Sequence, residues 1–206
     1  MSRLKRTGAV CLLAIASLGV RAQDATAQLL AAARSQIGVT VRYDPTYSRI
    51  AYPLGDVPID RGVCTDVLIR AYRKLGIDLQ QRVHEDMQAH WGSYPKSWGL
   101  KVTDPNIDHR RVPNLAVFFT RQGRSLPILP TDPVNYAAGD IVTWLLPGNL
   151  PHIGIVSSRH SGGHPLVIHN VGAGTAEEDA LLAYPITGHF RYMSGAAPRV
   201  HADAAH

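Results

Sequence analysis

Cysteine is almost absent from this 206-residue chain, which contains only Cys11 and Cys64. No disulfide framework can be built on that count, so stability has to come from an ordinary apolar core. Also missing is any apolar run near the ~20 residues that a membrane-spanning helix needs. The longest such stretch, Gly8 to Val20, follows Arg3, Lys5 and Arg6 and is closed by Val20-Arg21-Ala22. This pattern reads as a secretory signal peptide cut after about Ala22, giving a periplasmic or secreted protein with no stable membrane anchor. A surplus of positive charge is lacking as well once that leader is set aside. Arg3, Lys5, Arg6 and Arg21 are four of the 21 basic residues and leave 17 against 16 acidic ones, so nucleic acid is not an expected partner.

Other signatures are missing too. His84-Glu85 is followed by a histidine only at His90, which is not the spacing that puts two imidazoles on one helix face around zinc. The glycines at 172 and 174 precede no lysine-bearing helix and so form no phosphate cradle. Neither a metal nor a cofactor is expected. With 45% hydrophobic and 18% charged residues, residues 23–206 have material for a single domain.

What is present is ordered as helices first and strands later. Ala25 to Ser35 is rich in helix formers. A turn-rich loop with Pro45, Pro53, Gly55 and Pro58 then leads to Cys64. Val67, Leu68, Ala71, Tyr72 and Leu75 recur at helical spacing, with Arg70, Arg73 and Lys74 on the other side and Gly76 as the stop. Residues 79–133 are irregular and read as an insertion shaping a substrate groove. A short helix is expected around His84 to His90, then an aromatic loop (Trp91, Tyr94, Trp98) and an element over Val112 to Thr120; Asp108-His109-Arg110-Arg111 reads as a solvated helix-start turn in preference to a contact with an acidic substrate. The last third carries strand patterns from Asp140, His152, Leu166 and His189, separated by Gly- and Asn-bearing turns. The order implies an α+β domain with helices packed on one face of an antiparallel sheet.

Cys64 is the thiol that remains in an oxidising compartment. Such a residue is an inert core group, half of an intermolecular bridge, or a nucleophile. Its place at the start of a helix favours the last, because the unpaired N–H groups there stabilise a thiolate and can donate to an oxyanion. His152, on a strand facing that helix end, is the candidate base. A third group must fix its tautomer. His169 and Asn170 point to opposite faces of the next strand, so an even hairpin loop selects His169 and an odd one Asn170; two-residue glycine turns favour His169. Asp140 reads as a structural strand-start residue.

Five segments, in order, carry a resemblance: Ala33 to Tyr43, Gly62-Val-Cys-Thr-Asp to Tyr72, Ala138-Gly-Asp-Ile-Val-Thr-Trp144, His152-Ile-Gly-Ile-Val, and Val167-Ile-His169. Together they resemble the NlpC-like, papain-related cell-wall cysteine peptidases. The chain from about Ala33 to Met193 also resembles an uncharacterised bacterial domain family placed near that superfamily. The resemblance implies a papain-like core, Cys64 as nucleophile, His152 as base and His169 as orienting residue. It further implies Tyr43 as a substrate or oxyanion contact, with Thr65, Asp66 and Asn170 also at the substrate. The reaction implied is hydrolysis of an amide in peptidoglycan stem peptides. Val63 and Thr65 stand where that family has Asp and Ser, so specificity does not carry over with the fold. Three other functions fit the same residues: a zinc site on Cys64, His152 and His169, a non-catalytic wall-binding module, and a thiol acyltransferase.

Overall fold

The computed structural model describes residues 23–193. The expected signal peptide lies outside the described residues. The first helix, α1, covers residues 23–34. A pair of two-residue parallel strands follows, β1 (Arg42–Tyr43) and β2 (Arg61–Gly62), then α2 (Cys64–Lys74), α3 (Leu79–Ala89) and α4 (Val112–Gln122). Six strands complete the fold: β3 (Arg124–Ser125), β4 (Ile141–Leu146), β5 (Leu150–Ser161), β6 (His164–Asn170), β7 (Thr175–Glu178) and β8 (Ile186–Arg191). They form one sheet in the order β3-β8-β4-β5-β6-β7, with every pair antiparallel. The α+β expectation therefore holds at this level.

Alternation along the strands assigns the two faces. Ile141, Ile153, Ile155, Ile168 and Phe190 join Leu29, Leu68, Tyr72, Leu115 and Phe119 in the main core beneath the helices. On the other face Val142, Trp144, Val156 and Val167 pack with Tyr136 and Leu181, and the Trp144 indole donates to the Leu181 carbonyl at 2.9 Å. Each such large side chain stabilises by about 1.5–3 kcal/mol on full burial.

The segment 79–133 is not an appended insertion. Leu79, Val83, Met87, Tyr94, Leu115, Phe118 and Phe119 are all core residues, so α3 and α4 are part of the domain's own interior. The α3 helix begins five residues before the expected short helix, at an Asp78 side chain that accepts from the Gln80 amide, 3.1 Å. The aromatic loop divides: Tyr94 is buried with its hydroxyl on Asp86, whereas Trp98 is exposed. On the basic side of α2, Lys74 is exposed but Arg70 is buried. Arg70 is 6% exposed and its guanidinium holds Asp56, Thr40 and the Arg61 carbonyl, which pins the loop leading to Cys64. Asp140 is structural as expected, buried against His189 and Arg191.

Candidate active site

Cys64 is the first residue of α2, and the turn before it is braced from three directions. The Asp66 carboxylate accepts from the Val63 amide at 2.7 Å and so takes up one of the helix's free donors. The same carboxylate receives both arms of the Arg110 fork at 3.0 Å, in a pair almost wholly buried. Arg110 in turn donates to the Asp44 and Thr46 carbonyls, and the Asn170 amide donates to the Gly62 carbonyl at 3.1 Å. Pairing of Tyr43 with Gly62 sets the Tyr43 ring beside Cys64. These contacts correct three sequence expectations. Asp66, Asn170 and the fully buried Thr65, whose hydroxyl donates to the Arg110 carbonyl, hold the site together rather than face a substrate.

The second part of the site lies on the sheet. Ser161 pairs with His164 across the two-residue turn Gly162-Gly163, and the irregularity between Val156 and His160 shifts the register by an even number. Both features keep His169 on the face of His152, opposite Gly154. The two imidazoles touch: His152 Nε2 and His169 Nδ1 are 2.8 Å apart, and His169 Nε2 is 2.8 Å from Glu178 Oε1. A carboxylate only accepts, so the chain has one consistent set of tautomers. His169 Nε2–H donates to Glu178, His152 Nε2–H donates to His169 Nδ1, and His152 Nδ1 keeps its lone pair.

Gly154 makes this contact possible. A Cβ at that position would come within 2.6 Å of a Val167 methyl and 3.1 Å of the His169 Cβ. Gly154→Ala is therefore expected to displace His169 and to cost about 1–3 kcal/mol of stability, read by urea unfolding.

The His152 imidazole does not face the helix end as expected: with His169 it packs against Trp144 on the sheet face opposite Ile153, the residue that shares the main core with Cys64. The neighbour of His152 on one side, Pro151, lines a cavity of about 440 Å³ together with Cys64, and the amide of its other neighbour, Ile153, faces the sulfur and favours the thiolate. In this resting arrangement the sulfur makes no hydrogen bond to either imidazole among the described residues. Sequence reasoning expected the helix end to depress the thiol pKa, but the burial of Cys64 outweighs the amides and pushes it up to about 12. Burial, with His169 adding, pushes His152 down to about 3, and burial also lowers His169. Both groups therefore rest neutral, the thiol protonated and His152 Nδ1 with its lone pair. Burial likewise keeps the Tyr43 phenol protonated, at about 12, and able to donate to an oxygen in the cavity.

These shifts make a stability prediction. His152 and His109, the latter also near 3 through burial, bind protons in the unfolded chain below about pH 6.5 but not in the folded one. Stability should fall as pH drops from about 6.5 towards 3, by roughly 1.4 kcal/mol per pH unit for each group. On the alkaline side Cys64 and Tyr43 retain protons that the unfolded chain loses above about 8.5 and 10, so stability should fall there too. Denaturant midpoints measured from pH 4 to 10 check both limbs.

Glu178 is the site residue that sequence reasoning missed. Glu178 sits on β7, a strand hidden by the preceding glycine-rich turn; the short alternation of Thr175-Ala-Glu-Glu was its only signal. Arg111 lines the cavity with its guanidinium carbon 4.5 Å from the Trp98 ring centroid, so the Arg110-Arg111 pair is not a solvated turn. No group of three His, Cys, Asp or Glu side chains suited to a metal ion occurs among the described residues. Cys64, His152 and His169 therefore do not form the ligand set that the zinc alternative requires.

Residues 30–192 match the model of a domain of unknown function, DUF1287. The chain is also 53% identical over 162 residues to the uncharacterized protein YijF of Escherichia coli (strain K12), an alignment spanning 78% of each protein. A match over most of the chain, covering the cysteine-bearing helix and the histidine strands alike, means that the chain belongs to the DUF1287 family.

Proposed function

We propose that this protein is an exported cysteine hydrolase, NlpC-like and papain-related in its core, that cleaves an amide bond in peptidoglycan stem peptides. The observation that carries this reading is the Glu178–His169–His152 chain. It fixes one tautomer and leaves the His152 Nδ1 lone pair free, on the residue between Pro151, which lines the Cys64 cavity, and Ile153, whose amide faces the sulfur; catalysis then requires the His152 imidazole to come from the Trp144 face within reach of the sulfur. A helix-terminal thiol, with two imidazoles and a carboxylate relayed along the adjoining strands, supports the reading by the logic of a nucleophile, a base and an orienting group.

In this mechanism His152 Nδ1 takes the Cys64 proton as the sulfur bonds to the amide carbon. The oxyanion is met by α2 N-terminal amides and the Tyr43 hydroxyl. Collapse breaks the C–N bond while the imidazolium returns its proton to the leaving amine. Water, deprotonated by His152, then attacks the thioester and releases the acid and the free thiol. The neutral resting pair means that charge separates only when a substrate supplies the carbonyl that stabilises it.

The test is incubation of the purified protein with intact murein sacculi and mass spectrometry of the soluble products. Released peptides ending at a single bond type support the proposal. Sacculi bound without any released peptide would leave a wall-binding module, and peptide appearing only on added amines would make the protein an acyltransferase.

A further inference from the structure

A cavity borders Cys64, yet the residue itself is only 4% exposed, so the walls of that cavity control access to the sulfur. Three aromatic side chains stand in the walls, and two of them are tied down. Tyr43 belongs to β1, paired with β2, and the Tyr47 hydroxyl donates to Asp104 at 3.0 Å. The third, Trp98, is the most exposed of them at 58% and sits in a three-residue 3₁₀ turn, Ser97–Gly99. No backbone hydrogen bond joins residues 97–103 to another segment among the described residues. What holds the indole in place is Arg111, whose guanidinium carbon lies 4.5 Å from the ring centroid.

The turn is also strained. Trp98 and Gly99 have φ of 63° and 69°, two left-handed residues in succession, and a bulky side chain enters that region at a cost that recurs at clamps and switch segments. On either side the chain is anchored. The Lys96 ammonium donates to the Trp91 and Tyr94 carbonyls, and Leu100 packs on the main core. High exposure and few hydrogen bonds between two fixed points are the attributes of a segment that moves as a unit.

From Trp98, held in a left-handed turn between two anchors and resting on Arg111, we infer that Ser97–Gly99 is a gate on the Cys64 cavity. With the indole on the guanidinium the cavity is narrow; release of that contact swings the indole outward and admits bulky groups to the sulfur. Trp98 thereby limits the size of what Cys64 can meet. Calling the admitted group a substrate rests on the hydrolase reading, whereas access to the sulfur is measurable without turnover.

The experiment measures alkylation of Cys64 in the full chain by a small reagent, iodoacetamide, and by a bulky one, pyrene maleimide. Both are read at the Cys64 peptide by mass spectrometry and referred to their rates in the urea-unfolded chain. Trp98→Ala is expected to raise the pyrene maleimide rate about tenfold and the iodoacetamide rate less than about twofold, the shift in open population that loss of one cation–π contact supports. Trp98→Phe keeps a ring over Arg111 and should stay within about threefold of the unmodified protein. Gly99→Ala is the independent variant. A Cβ there meets nothing within 4 Å, so the change acts only by disfavouring the left-handed closed turn, and it too should speed the bulky reagent. A bulky-to-small rate ratio unmoved by both alanine variants, equal acceleration of the two reagents, or no reaction of Cys64 with either reagent in any variant would each overturn the gate. Gating without release of peptide from sacculi would leave the gate standing and remove the hydrolase, and peptide release with an unmoved ratio would do the reverse.

Discussion

Cys64→Ala is expected to lower turnover of murein peptides by about 10⁴-fold or more while leaving the fold intact. In the proposed reaction the sulfur at the α2 N-terminus carries the acyl group, and its removal leaves a small gap in a core supported by many larger side chains. His152→Ala should match it, since nucleophile and base act as a unit and their losses do not add. A graded series tests the relay behind them. His169→Ala removes the acceptor that orients His152, and Glu178→Gln removes the charge that fixes the His169 tautomer. Because Glu178 is half exposed, with 49% of its side-chain surface accessible, water substitutes for it in part, and a loss of about tenfold is expected. Progress curves on a defined stem peptide, with circular dichroism on each variant, separate these outcomes. Equal activity in Glu178→Gln and the unmodified protein would reduce the relay to the two histidines.

Asp66→Ala should instead act on stability, by about 3–5 kcal/mol. It leaves the Arg110 guanidinium buried without its carboxylate, frees the Val63 amide and unties the loop carrying Asp44 and Thr46. A residue that merely touched substrate would change KM and leave the denaturant midpoint where it was. The two roles for Asp66 therefore differ in the quantity that moves as well as in its size, and urea unfolding monitored by tryptophan fluorescence decides between them.

The parts of the site that sequence made legible are those set by short periods. Helical spacing after Cys64 and alternation through His152 and His169 place a thiol at a helix start and two imidazoles on one sheet face, because residue i and residue i+2 of a strand share a face whatever lies around them. The two-residue glycine turn selected His169 over Asn170, and the register agrees. What was illegible depends on contacts distant in sequence. Asp66 and Arg110 are 44 residues apart, and nothing local distinguishes a buried ion pair from two surface charges. Arg70 reads as solvent-facing until the 56–61 loop folds over it. The segment 79–133 looked like an insertion because its apolar residues are broken up by short 3₁₀ turns, yet its helices complete the core. The thiol's protonation was misjudged for the same reason. The helix end is visible in the sequence, whereas the burial that outweighs it is a property of the packed domain.

The central claim is that the Cys64 sulfur becomes acylated, and acid-quenched peptide mapping after brief incubation with sacculi or a stem peptide reads it directly. The expected product is a Cys64 peptide heavier by the acyl half of the substrate, labile to hydroxylamine, present in the unmodified protein and absent from His152→Ala. Steady release of product with Cys64 always found as free thiol, or undiminished release by Cys64→Ala, would contradict it.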